Sequence, residues 1–148
     1  MEVRPARDAA ELRQALGLRD RVFCGEQGVS AAAERDGRDG EALHLVAVDD
    51  LQSGGQAPAV VGTCRLLFVR DAAFLGRLAV EGGHRRRGIG AALLREATEQ
   101  ASAAGAARIS LHAQLDVREL YAAVGYVELG EPFVEEGIDH VTMEKALA

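Results

Sequence analysis

Apolar residues along this chain fall into two rhythms, and their alternation sets out the elements. Dense or alternating apolar runs at 43–48, 59–69, 74–80 and 109–113 read as strands. Val3 opens a short strand that Pro5 interrupts. Asp8 is placed to cap a helix over 8–24, with Leu12, Leu16, Val22 and Phe23 on or near its buried side and Gly17 weakening its middle. The stretch 88–104 has helical spacing: Leu93, Leu94, Ala97, Ala101 and Ala104 form an apolar stripe, Arg95, Glu96, Glu99 and Gln100 a wet one, and Gly105 ends it. A shorter helix over 117–124 closes at Gly125. Two last strands at 126–129 and 138–143 are joined by a glutamate-rich connection over 131–137. The segment 25–40 is polar, glycine-punctuated and acidic, and reads as a surface loop or a short helix within one.

Short connections, including a turn at 53–58, make the three strands between 43 and 80 an antiparallel meander. The strand–helix–strand passage from 74 to 113 is a βαβ crossover, so its second strand lies parallel to its first. The pattern therefore predicts an α/β fold, a mixed and mostly antiparallel sheet with a central crossover and helices on both faces. The 148 residues suit one domain spanning 1–148. Aromatic residues are only 4% and Trp is absent, so alanine, valine and leucine fill the core, which favours helices packed closely on a sheet. A net charge of −6 argues against a generic nucleic-acid binder. No apolar run reaches the ~18 residues of a membrane span. The start Met1-Glu2-Val3-Arg4 lacks the apolar region of a secretion signal. Cys24 and Cys64 have no metal-ligand spacing and read as reduced thiols of a cytoplasmic protein.

The segment His84-Arg85-Arg86-Arg87-Gly88-Ile89-Gly90-Ala91 sits between a predicted strand and a predicted helix. The first N–H groups of a helix lack intrahelical partners, and the helix dipole adds partial positive charge at that end. A phosphate or pyrophosphate satisfies both. Gly88 and Gly90 let the backbone come close to such a ligand. A dinucleotide fingerprint would need a third glycine where Leu93 stands, and a Walker A loop would need Gly-Lys-Ser/Thr, which is absent. A basic loop that merely caps a helix is the bland alternative.

Arg85-x-x-Gly88-x-Gly90 resembles the acyl-CoA-binding signature of the GCN5-related N-acetyltransferases (GNAT), and Leu120-Tyr121-Ala122-Ala123-Val124-Gly125-Tyr126 resembles that family's Leu-Tyr-x-x-x-Gly-Phe element. Arg21-Val22-Phe23, Glu26-Gln27, His44, Ala113-Gln114 and Phe133-x-Glu135-x-Gly137-Ile138-x-His140 resemble its ElaA-like subgroup. The resemblance implies the single-domain acyl-CoA N-acyltransferase fold and acetyl-CoA as co-substrate, with no metal. It implies that the strand before the loop splays from its neighbour at a bulge, leaving the backbone of Leu78, Ala79 and Val80 for the pantetheine arm. It implies that Arg85, Arg86, Arg87, Gly88, Ile89, Gly90 and Ala91 wrap the pyrophosphate. Gln114 stands where many relatives carry a cofactor-contacting Asn.

Acetyl transfer to an amine needs a proton acceptor for the amine, donors for the developing oxyanion and a proton for the departing thiolate. The resemblance assigns the last role to Tyr121; a half-buried tyrosine without chemistry is the alternative. A backbone N–H near Leu78 or Ala79 suits the oxyanion. Two residues are candidate bases. Glu26 borders the acceptor region, and His112 lies near the end of the crossover strand, where α/β folds gather functional groups. Ordered water is a third route for the proton. His112 and His44 read equally as hydrogen-bonded structural residues, and Glu26, Glu34 and Asp36 as solvated loop acids. The acidic stretches 26–39 and 131–136 form either a rim that attracts a cationic amine or simple solubilising surface.

The sequence thus points to an acetyl-CoA-dependent N-acetyltransferase acting by direct transfer in a ternary complex on a small-molecule or peptide amine. A CoA-binding sensor without turnover is the alternative, and a protein using the loop for another phosphate ester a weaker one. No nucleic acid or membrane partner is expected; the last strands are able to pair across a homodimer.

Overall fold

The computed structural model describes residues 1–49 and 59–147, so the turn expected at 53–58 lies outside the described residues. Seven strands, β1 (Glu2–Pro5), β2 (Leu43–Asp49), β3 (Ala59–Val69), β4 (Ala72–Val80), β5 (Arg108–Gln114), β6 (Val127–Glu135) and β7 (Ile138–Ala146), form one sheet in the order β1-β2-β3-β4-β5-β7-β6. Every pairing is antiparallel except β4 with β5.

The unbroken apolar runs are strands because both of their faces are covered. In β2, Leu45 and Ala47 face one buried cluster while Val46 and Val48 face the other. Helix α1 (Ala9–Arg19) covers one face through Ala15 and Leu18. Helices α3 (Ile89–Ala103) and α4 (Arg118–Ala122) cover the other, through Ile89, Leu93, Leu94, Ala97, Ala101 and Tyr121. The predicted crossover and two-sided layering are therefore present. Gly62 on β3 sits where α3 crosses most closely: a Cβ there would lie 2.8 Å from Ile89 Cγ2 and 3.0 Å from Leu93 Cδ1.

Several local expectations need correction. Asp8 caps α1 by accepting from Glu11 N–H at 2.9 Å, but Gly17 does not break the helix. Instead the chain widens after Arg19 into a π-helix over Asp20–Glu26, with Gln27 N–H donating to Val22 O five residues back at 3.1 Å. The widening keeps Val22 buried while turning Phe23 and Glu26 toward a cleft. The acidic segment holds a one-turn helix, α2 (Ala31–Glu34), capped by Ser30. Ala104 is exposed beyond the end of α3, because Gly105 at φ 86° turns the chain away. The supposed connection over 131–136 is mostly strand. β6 runs through it with a register shift between Leu129 and Phe133, and the reversal is the two-residue turn Glu136-Gly137, both at positive φ. Pro132 is tolerated there because β6 is an edge strand.

Candidate active site

The site begins where the sheet comes apart. β4 and β5 are in register for only three pairs, Ala72–Arg108 to Phe74–Ser110. Beyond Phe74, β4 leans away. In the β3–β4 register Thr63 pairs with Ala79 and Arg65 with Gly76, so Arg77 and Leu78 together oppose Cys64. Arg77 takes φ 56°, uncommon for a side-chain-bearing residue. An extra residue on one strand bends it, and here the bend opens a cleft of about 700 Å³ between the two parallel strands. Leu78, Ala79 and Val80 line it.

Past β4 the chain reaches the N-terminus of α3. Gly88 is the cap residue at φ 79°, and no side chain caps the helix. Open space surrounds both Gly88 and Gly90 where a Cβ would be. Arg86, also left-handed at φ 64°, lines the cleft together with Arg85, Gly88, Ile89, Gly90 and Ala91. Arg87 does not: it is exposed, away from the cleft lining. This cradle of uncapped helix N–H groups and arginines suits a diphosphate.

Arg85 donates from Nε to Val80 O at 3.1 Å and reaches Glu26 at 2.7 Å. Glu26, one of the two candidate bases, is thus engaged by a guanidinium at the loop end of the cleft. Gln114 lines the cleft and donates to Gln27 Oε1 at 3.0 Å, tying β5 to the residue after the π-helix.

Tyr121 reaches the cleft from α4 and is nearly buried. Burial, with smaller contributions from Cys64 and Tyr126, pushes its phenol above the ordinary value, so it stays protonated. Its ring meets Tyr126 edge-on at 6.0 Å. Burial likewise raises the Cys64 thiol to about 12, which keeps it inert.

His112 stands on the other face of the sheet. The alternation along β5 sends Ile109, Leu111 and Ala113 into the core and Ser110, His112 and Gln114 outward. His112 is clamped edge-on between Phe74 and Phe133, each at 5.0 Å, and its Nδ1 lies 3.3 Å from both oxygens of Glu135. His140, nearly buried, donates from Nδ1 to Ile138 O at 2.7 Å and presents Nε2 to Glu135 Oε2 at 3.8 Å. Glu135 and His140 both line the cleft and were not singled out as functional residues from sequence. Their one trace there was the Phe-x-Glu-x-Gly-Ile-x-His pattern, whose meaning depends on the hairpin that brings it back to His112.

The reading of Glu34 as a solvated loop acid is wrong, whereas Asp36 is exposed as expected but ion-paired. Glu34 and Arg19 are each 1% exposed and pair at 2.6 Å. Arg35 also engages Glu34, and Arg77 Nε approaches it at 3.4 Å. Asp39 bridges Arg19 at 2.8 Å and Arg65 at 2.9 Å, while Asp36 binds Arg65. The Arg65 hydrogen bond holds the Asp36 carboxyl well below its ordinary range. For Asp39 burial works the other way, but Arg19 and Arg65 outweigh it and lower that carboxyl too. The network fastens α2 over the cleft, where Ala33 and Glu34 form part of the wall. His44 is structural: it lies nearly buried with Nε2 2.9 Å from Asp39 O. Among the described residues no group of three His, Cys, Asp or Glu side chains is arranged to hold a metal ion, and no helix is long and apolar enough to cross a membrane.

A sheet opened between two parallel strands, with an uncapped helix start and arginines at one end and a protonated phenol within, is the architecture of the acyl-CoA N-acyltransferase fold. The family described as "Acetyltransferase (GNAT) domain" matches residues 8–147. The uncharacterized N-acetyltransferase YjcF of Bacillus subtilis (strain 168) is 32% identical over 142 residues, which cover 95% of this chain and 96% of that protein. An acyl-CoA N-acyltransferase from Pseudomonas aeruginosa superposes with a TM-score of 0.81 at 27% identity, covering 98% of each chain. Escherichia coli ElaA, at 21% identity, shares the fold with a TM-score of 0.82 over 98% of this chain and 99% of its own. The chain belongs to the GNAT acetyltransferase family and is an N-acetyltransferase.

Proposed function

We propose that this protein transfers the acetyl group of acetyl-CoA directly to the amino group of a small molecule or peptide, with both substrates bound together. The observation that carries the reading is the parting of β4 from β5 directly upstream of the uncapped N-terminus of α3. One tunnel-like opening then serves a thioester on the loop side and an amine on the His112 side. The residues fit acetyl-CoA: N–H groups at the start of α3, with Arg85 and Arg86, hold the diphosphate, and the freed edge of Leu78–Val80 takes the amide-bearing arm. When bound, acetyl-CoA supplies the activated acyl carbon. A backbone N–H near Leu78 or Ala79 steadies the developing oxyanion. Tyr121, held protonated by burial, donates toward the sulfur as the C–S bond breaks. Neither free cysteine suits a covalent relay, since Cys64 is buried with a raised thiol and Cys24 does not line the cleft; both suit a reducing compartment such as the cytoplasm.

The test has two parts. Calorimetry with coenzyme A measures binding, and a thiol-release assay scans polyamines, amino acids, aminoglycosides and lysine peptides. Initial rates against both substrates should give intersecting double-reciprocal lines. Parallel lines would overturn direct transfer. Saturable binding without release by any amine would favour the non-catalytic sensor.

A further inference from the structure

The acceptor end of the cleft holds an arrangement that the chemistry above leaves unused. Glu135 lies between two imidazoles. His112 Nδ1 is 3.3 Å from both of its oxygens, and His140 Nε2 is 3.8 Å from Oε2. A carboxylate only accepts, so His112 Nδ1 must carry the hydrogen. That leaves Nε2 with the lone pair. Phe74 and Phe133 each meet the ring edge-on at 5.0 Å, which restricts its rotation. Phe133 is itself stacked on His140 at 6.0 Å and 21°, and His140 is tied down by Ile138 O. The ring is therefore fixed in position and in tautomer by the β6–β7 hairpin, while Glu26, the other candidate base, is engaged by Arg85.

We propose that His112 is the base that deprotonates the acceptor amine, and that Glu135 is the positioning residue that makes it one. This rests on the acetyl-transfer reading. As the amine lone pair forms the N–C bond, His112 Nε2 takes the proton that nitrogen loses. Glu135 balances the charge of the resulting imidazolium. Tyr121 gives a proton to the sulfur as the C–S bond breaks, and the imidazolium restores that proton to Tyr121 through solvent. The net proton thus passes from amine to thiol. Charged and titratable groups lining the cleft are Glu135 and Glu136 from the β6–β7 hairpin, His140 from β7, Arg77 from β4, Glu34 from α2, and Glu26, Arg85 and Arg86 toward the loop.

Two measurements test the proposal on the full chain. Long-range ¹H–¹⁵N NMR of the histidine rings needs no ligand. Above neutral pH it should show His112 protonated at Nδ1, with that preference lost in Glu135→Gln. Finding Nε2 protonated in the parent overturns the positioning role whatever the enzyme's activity. The second is thiol release from acetyl-CoA with the polyamine and peptide panel as a function of pH. Glu135→Gln should lower kcat about 10²-fold or more and leave the KM for acetyl-CoA within about twofold. Glu135→Asp should recover part of the rate. His112→Ala should abolish the limb. A parent-like limb in His112→Ala overturns the base assignment while leaving acetyl transfer intact. A parent without thiol release overturns both, and the NMR result then stands as a structural fact alone.

Discussion

The buried pair Arg19–Glu34 gives the sharpest test of how the cleft wall is held. Replacing Glu34 by Gln keeps shape and volume and removes one charge. Both carboxylate oxygens are in use: Oε1 faces Arg19 Nε at 2.6 Å and Arg77 Nε at 3.4 Å, and Oε2 faces Arg35. Either orientation of an amide therefore points its NH2 at a guanidinium donor. With the NH2 toward Arg19, that guanidinium keeps only Asp39 and the residue-34 backbone carbonyl, and in either orientation the 1% exposed Arg19 loses its buried counter-charge. Breaking a buried ion pair by removing one partner costs about 3–5 kcal/mol, a large share of the 5–15 kcal/mol typical of a domain. At about 2–4 °C per kcal/mol for chains near this size, Tm should fall by roughly 10 °C. Urea denaturation at pH 7.5 measures the free energy directly. Adding Arg19→Met to Glu34→Gln should recover part of the loss, because the stranded cation leaves with its partner, so the double-mutant cycle should show a coupling above about 1 kcal/mol. A Glu34→Gln loss below about 1 kcal/mol, or strictly additive variants, would refute the claim that this network holds α2 in place.

Three further outcomes follow from the same geometry. Tyr121→Phe should lower kcat at least tenfold with little change in the KM for acetyl-CoA, since only the proton toward sulfur is lost; equal kcat in variant and parent in the thiol-release assay removes Tyr121 from the chemistry. Gly62→Ala should destabilise the fold by about 1–3 kcal/mol and raise the KM for acetyl-CoA, because the new Cβ meets Ile89 and Leu93 at the start of α3; unchanged stability and KM would show that the helix shifts without consequence. Glu11, which accepts two 2.7 Å hydrogen bonds from Arg4, has its carboxyl lowered from 4.5 to about 2 by that pairing. A depressed carboxylate stabilises the fold above its unfolded pKa and loses that contribution as pH falls through the folded one, so Tm of the parent should drop more steeply than that of Glu11→Gln between pH 4.5 and about 2; parallel curves would contradict the linkage.

The fold was readable where local pattern and tertiary burial agree. β2 and β3 announced themselves as unbroken apolar runs because both of their faces are covered, and α3 because its stripe faces one cluster. The π-helix after Arg19 was hidden: its residues keep near-helical spacing, and only the five-residue hydrogen-bond step distinguishes it. β6 was hidden for the opposite reason. As an exposed edge strand it buries no face, so only its start, 126–129, read as strand while Glu131 and Glu135 read as connection, and Glu136 in a left-handed turn lacks the Asn or Asp that usually marks such hairpins.

The two halves of the site differ in legibility for a physical reason. The proposed phosphate cradle is made of consecutive backbone groups between Val80 and Ala91, so glycines, arginines and a helix start within one short stretch suggest it. The acceptor half depends on side chains that converge from β4, β5, β6 and β7. His112 and Glu135 are 23 positions apart, and Glu26 and Arg85 are 59 apart. Nothing local says whether an acid in this chain is a buried counter-ion, as Glu34 is, or a partner for an imidazole, as Glu135 is. What separates them is the register of the β6–β7 hairpin. A slip of one residue there would turn Phe133 and Glu135 to the opposite face and release the His112 ring. The hairpin turn Glu136-Gly137 therefore helps fix the His112 ring, because the strand that was hard to read, β6, sets Phe133 and Glu135 against it.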